Sequence, residues 1–244
     1  MSSHEGVRVD LAEDALAYSF HDHELGVGAL STWRDGFSRL EFLGDSILGL
    51  AVFATAEAAG WVRELAMDRV DNEHLDRLFD QRLRRCTTSH TGDVIEALIA
   101  AIHLDGGFEE AARVGVALCL PELAPYSPAA LREAVPDIGH HGLAFVGAAV
   151  FKAVAADVLC RAQPERNHEW YSETRSRLTS RHHLAAVAME RGYAKPGDVE
   201  VEAVRTKAAN RLERVVGKRF LLNGWTAAHL TAVDLLELRG FDAT

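Results

Sequence analysis

Cysteines, prolines, basic side chains and long uninterrupted apolar runs are all scarce in this sequence. Each scarcity excludes something. Three cysteines (Cys86, Cys119, Cys160) stand in 244 residues, odd in number and without metal-ligand spacing. A disulfide framework is therefore not expected, and a reducing, cytoplasmic setting is. The apolar runs are short or carry polar residues, so no membrane span is expected. Met1 to Asp10 is polar and lacks the basic-then-apolar build of a signal peptide. Glycine-rich phosphate loops of the GxxxxGK type are missing. Against 36 acidic residues there are 26 Lys and Arg, a net charge of −10. That is the wrong sign for simple electrostatic attraction to phosphates.

What is present points to helices. Ala-, Leu-, Glu- and Arg-rich segments dominate and alternating β-branched runs are few, so an all-α fold is expected. Four of the six prolines lie between Pro121 and Pro136. That junction divides the chain into residues 1–125 and 126–244. The first part holds 10 basic and 22 acidic side chains, the second 16 and 14. Residues 40–58 read as a buried central helix and 62–85 as an amphipathic, charged stretch. Residues 93–104 read as a second buried helix, closed by Asp105-Gly106-Gly107.

The two parts repeat each other. Leu40-Glu41-Phe42-Leu43-Gly44-Asp45 aligns with Leu143-Ala144-Phe145-Val146-Gly147-Ala148. Asn72-Glu73-His74-Leu75 aligns with Arg181-His182-His183-Leu184, and Asp93-Val94-Ile95-Glu96 with Asn210-Arg211-Leu212-Glu213. The order is kept and the offset grows only through loop-sized insertions, the pattern of a duplicated domain.

Glu41 and Asp45 are four apart on one helix, and Asp93 and Glu96 three apart on another, so each pair shares a face. Each stands among apolar residues, where an unpartnered carboxylate is costly. No Lys or Arg lies three or four residues from any of the four. Taken singly, each pair also fits a helix N-terminal acid or a solvated charge. If the two helices pack together, four carboxylates converge and their repulsion calls for a divalent cation. Oxygen-only ligands suit Mg²⁺ or Mn²⁺, which can activate water and stabilise charge on a phosphate. Spacing alone reaches phosphate-ester chemistry and stops short of RNA.

Arg39-Leu40-Glu41-Phe42-Leu43-Gly44-Asp45-Ser46-Ile47-Leu48 resembles the signature of the ribonuclease III family nearly letter for letter. Asp93-Val94-Ile95-Glu96-Ala97-Leu98-Ile99-Ala100 with His103 to Gly107 resembles its second acidic motif, and Arg69 to Leu75 its intervening helix. The resemblance covers residues 10–120 well and 129–240 weakly. It implies a fold of two ribonuclease III-like helical repeats paired as an intramolecular pseudo-dimer. It also implies Mg²⁺-dependent hydrolysis of double-stranded RNA, leaving a 5′-phosphate and a 3′-hydroxyl. Glu41, Asp45, Asp93 and Glu96 become the catalytic, metal-binding carboxylates.

The sequence departs from the family pattern in four places. Ser38 stands where an acid usually opens the signature, and Gln81 to Thr91 is short. No C-terminal double-stranded-RNA-binding domain is expected. Ala144, Ala148 and Asn210 replace three of the four acids in the second repeat, leaving Glu213. One intact and one decayed centre predicts that a pseudo-dimer nicks a single strand, unless two chains associate into a further homodimer. Arg175, Arg177, Arg181, Lys207, Arg211, Arg214, Lys218 and Arg219 of the second repeat are candidate phosphate contacts, or else solvated helix faces.

Three rival readings are open. A non-catalytic RNA-binding or scaffold protein is the first. A serine esterase is the second, since Gly44-Asp45-Ser46-Ile47-Leu48 is similar to the GDSL block; its serine, however, is embedded in an apolar helix. Metal sites at His140-His141 and His182-His183 are the third, and neighbouring histidines on a helix diverge too far to chelate.

Overall fold

The computed structural model describes residues 7–89, 91–123, 125–194 and 202–238. Met1 to Gly6, His90 in the short Gln81–Thr91 segment and Ala124 in the proline-rich junction lie outside the described residues. Every regular element is a helix, and no strand occurs among the described residues. The chain forms two compact units, residues 1–52 with 62–126, and residues 53–61 with 127–244.

In the first unit α1 (Val9–Leu16), α2 (His23–Leu30), most of α3 (Phe37–Ala58), α4 (Arg63–Asp68), α5 (Asn72–Arg82), α6 (Asp93–Gly106) and α7 (Phe108–Cys119) follow one another. Helix α6 is the axis of this unit. From Val94 to His103 every residue is buried, and α2, α5 and α7 pack around it. The glycine pair closes it as the sequence indicated: α6 runs through Gly106, and Gly107 follows at φ +90°, where a side chain would be strained. The charged stretch 62–85 contains two helices, α4 and α5. Asp71 caps α5 by accepting from the His74 backbone N–H, and its own extended backbone separates the two.

Just before its end, α6 is tied to the N-terminal segment. Asp105 accepts hydrogen bonds from the Tyr18 hydroxyl (2.6 Å), the backbone N–H groups of His21 and Asp22 (2.8 Å each) and the His21 ring. Burial pushes this carboxyl up, and the hydrogen bonds together outweigh it, holding it down to about 2.

The second unit contains α8 (Pro128–Ala134), α9 (His140–Ala162), α10 (His168–Leu178), α11 (Arg181–Glu190) and α12 (Glu202–Leu235). Helices α9 and α12 form its core, with α8, α10 and α11 packed against one or both. Helix α9 is long and apolar enough to cross a membrane, with mean hydropathy 2.0 over 18 residues, but 78% of that stretch is buried inside the protein. It is a core helix, more uniformly apolar than the sequence reading allowed. Helix α12 breaks its helical backbone at Gly224, where φ is +78°.

The aligned residues play matching parts in the two units. A methyl group on Gly44 would collide with the carbonyl oxygen of Glu96, and one on Gly147 with that of Glu213. In both units one helix passes the backbone of another where only hydrogen fits. Leu75 and Leu184 are both buried, at 1% exposure. His74 and His183 are the third residues of α5 and α11, and each gives its backbone N–H to a capping side chain, Asp71 and Ser180 respectively. Each ring has a buried Nε2 without a hydrogen bond, and burial holds each imidazole below its ordinary pKa.

Gly44→Ala and Gly147→Ala are each expected to destabilise the protein at or beyond the upper end of the ~1–3 kcal/mol of core overpacking, because the obstacle is backbone. Gly139→Ala, with open space around its Cβ position, is the control. Urea denaturation of the three variants checks this.

Candidate metal centre

Three of the four acids singled out from the sequence come together. Glu41 of α3 and Asp93 and Glu96 of α6 each offer one carboxylate oxygen, and the three oxygens lie within 4.8 Å of one another. Glu96 is buried, at 8% exposure, while Glu41 and Asp93 are half-buried. Asp45 stands one turn after Glu41 on α3, exposed and outside this group.

The local sequence explains the convergence. Gly44 lets α3 lie against the Glu96 backbone, and Glu41 sits three residues before that crossing. On the other helix, Gly92 precedes Asp93 and its N–H donates to the Asp76 carboxylate at 2.5 Å. A side chain on Gly92 would press within 2.6 Å of Leu75 Cβ. The Thr91 hydroxyl accepts from the Asp93 N–H. Asp76 and Gly92 thus set where α6 begins, and with it the placement of Asp93. Neither was singled out from the sequence. The short Gln81–Thr91 segment noted in the sequence lies between the two, joining α5 to α6.

Electrostatics decides what this cluster needs. Two ionised oxygens at 4.8 Å repel by about 3 kcal/mol at an effective dielectric near 20. Three together, one of them buried, favour a cation in their midst. Both α6 acids also lie in the first turn of that helix, where the peptide dipoles favour negative charge. The donor set is oxygen only and half-open to solvent. That suits a hard divalent ion that keeps part of its water shell, as Mg²⁺ does, and Mn²⁺ equally. The residues therefore fit the cation that the sequence called for.

The second unit shows what becomes of the same framework without the acids. Ala144 and Ala148 stand at the positions of Glu41 and Asp45. Asn210 stands at that of Asp93, and its amide, oriented with nitrogen toward the acid, donates to Glu213 Oε2 at 3.2 Å and to the Thr206 carbonyl at 3.1 Å. Burial raises the Glu213 pKa, and the positive charges of Arg181 and Lys152 oppose that rise. This carboxylate has its partner within its own helix and belongs to no group of three metal ligands among the described residues.

Two rival readings find no support in the geometry. Ser46 is 5% exposed and lies within hydrogen-bonding distance of the Phe42 carbonyl, a place for a helix-core serine rather than an esterase nucleophile. The histidine doublets contain exposed His140, His141 and His182, and none belongs to a metal-ligand group among the described residues.

No family model matches the chain. Among curated proteins, Ribonuclease 3 of Rhodopseudomonas palustris is 34% identical over 128 residues, covering 41% of this chain and 47% of that protein. Ribonuclease 3 of Sinorhizobium medicae is 36% identical over 128 residues (41% and 54%), and that of Bradyrhizobium diazoefficiens 33% over 133 residues (41% and 52%). The chain spans about half the length of the curated relatives it matches.

Titration with Mn²⁺, followed by the electron paramagnetic resonance of the free ion, is expected to show weakening of about tenfold or more in Glu96→Gln and Asp93→Asn. Asp45→Asn is expected to weaken binding less than either, since its carboxylate stands outside the cluster.

Proposed function

From this relationship to the ribonuclease III family, we propose that the protein is a Mg²⁺-dependent endoribonuclease that hydrolyses phosphodiester bonds in double-stranded RNA. The observation that carries the reading is the convergence of Glu41, Asp93 and Glu96, on two helices distant in sequence, into one oxygen-lined site. A bound Mg²⁺, or Mn²⁺ in its place, supplies Lewis-acid activation of water and neutralises charge developing on the phosphate. Glu96, buried and fixed by the Gly44 crossing, is the rigid member of the set. Glu41 and Asp93, half-buried, leave the site accessible to a phosphate. Asp45 completes the acidic quartet that the resemblance implies, acting from the solvent side.

The division of labour follows from the asymmetry. The two repeats pair as an intramolecular pseudo-dimer in which only the first carries a hydrolytic centre, so one strand is cut per pairing. The second contributes phosphate contacts through cations such as Arg177, Arg181 and Lys207. With a net charge of −10 the chain has few cations to spare, so binding to duplex RNA is weak and steeply salt-dependent. Cys86, Cys119 and Cys160 are all buried, and burial pushes the Cys119 thiol up to about 12. The proposed setting for this RNA-processing role is the reducing cytoplasm.

The reading is tested with end-labelled duplex RNA and Mg²⁺, analysed on native and denaturing gels. Cleavage is expected to vanish with a chelator and to fall at least about 100-fold in Glu96→Gln. Fragments should appear on the denaturing gel while the duplex survives on the native gel. Duplex RNA left uncut with both Mg²⁺ and Mn²⁺ would establish the alternative, a non-catalytic RNA-binding or scaffold protein.

A further inference from the structure

The second unit holds a pocket of about 390 Å³ lined chiefly by Leu143 of α9, Tyr193 beyond α11, and Arg211, Arg214, Val215 and Lys218 of α12. The size lies within the range of small-molecule sites. Its chemistry is divided. Arg211, Arg214 and Lys218 recur at three- and four-residue spacing, so one face of α12 carries three cations. None of the described residues lining the pocket is acidic, in a chain where acids outnumber Lys and Arg by ten. Arg214 is half-buried and its Nε–H donates to the Asn210 carbonyl at 3.3 Å, which steadies it at the pocket wall. Beside these cations, Tyr193 and Val215 are 39% and 37% exposed and give the pocket an apolar side.

Three cations on one helical face offer an anion several charged donors at once. A bare phosphate would satisfy the cations and leave the Tyr193 ring and the Leu143 and Val215 side chains in water. A nucleotide uses both halves of the pocket, its phosphate on the cations and its base on the aromatic and aliphatic surface. We propose that this pocket binds an unpaired nucleotide of an RNA strand, such as the first base of an overhang or a base displaced from a duplex. The choice of RNA over a free nucleotide rests on the function proposed above; the chemistry of the pocket does not.

The test uses the full chain in EDTA, so that binding is read without hydrolysis. Fluorescence anisotropy compares a blunt RNA duplex with the same duplex carrying a short single-stranded 3′ overhang, and adenosine 5′-monophosphate is titrated separately. The overhang is expected to bind about tenfold tighter. Tyr193→Ala should abolish that preference while Tyr193→Phe keeps it, because the ring and not the hydroxyl supplies the stacking surface. Arg211→Ala with Lys218→Ala should weaken binding and lower the slope of log K against log salt by about one per cation removed. Both cations are exposed and alanine suits a helix, so circular dichroism should report an unchanged fold.

Binding of adenosine monophosphate that these variants abolish, with no preference for the overhang, supports the pocket and makes a free nucleotide its ligand. Equal binding of blunt and overhanging duplexes with no binding of the monophosphate overturns the proposal. So does displacement of the RNA by a poly-glutamate peptide as effectively as by an oligonucleotide of equal charge. A protein that cleaves no RNA yet passes these binding tests loses the proposed enzymatic function and keeps the pocket.

Discussion

The first unit depends on a place where two helices come closer than side chains allow. Helix α3 meets α6 with Gly44 set against the carbonyl oxygen of Glu96, and no Cβ fits between them. Such a contact fixes both the spacing and the rotation of the two helices, since any slip brings a side chain into the gap. The residue at the crossing is also an acid of the site. Glu41 lies three residues before Gly44 and Asp93 three before Glu96, so the crossing that holds the core together also draws the three carboxylates to one point. Core geometry and site geometry are one constraint here, and the electrostatic cost of the cluster is borne by the tightest packing in the unit.

The second unit separates these two roles. Its crossing survives, with Gly147 against the Glu213 carbonyl and Gly217 similarly close to the backbone of α9. Its acids do not. Ala144 and Ala148 carry no charge, and Asn210 turns what would be a repelling carboxylate into a hydrogen-bond donor for Glu213. On the proposed reading of the second unit as a decayed copy of the first, the glycines serve the fold and the acids serve the proposed chemistry.

Much of this was legible in the sequence, for identifiable reasons. The 3.6-residue period and glycine punctuation located α6 closely, 93–104 expected against 93–106 observed. Paired acids three and four apart in apolar helices signalled a site because charge in a core must have a cause. The pairing of Gly44 with Gly147 and of Glu96 with Glu213 came from alignment of the repeats alone. What local reasoning missed depends on contacts far apart in sequence. The Asp76 carboxylate holding the Gly92 N–H, the Asp105 hydrogen bonds to Tyr18, His21 and Asp22, and the pocket built from α9, Tyr193 and α12 all join segments that no local pattern connects. The separation of Asp45 from the other three acids belongs in this group too, because helical spacing places it on the face but does not say how deep that face is buried.

On the proposed function, the first unit holds a divalent cation and the second, on a similar framework, does not. Anomalous diffraction from crystals soaked in Mn²⁺ tests it most directly. A single strong anomalous peak per chain is expected, within coordination distance of Glu41, Asp93 and Glu96, with none at Asn210 and Glu213. A peak at Glu213, or none at the three carboxylates at millimolar Mn²⁺, would contradict it.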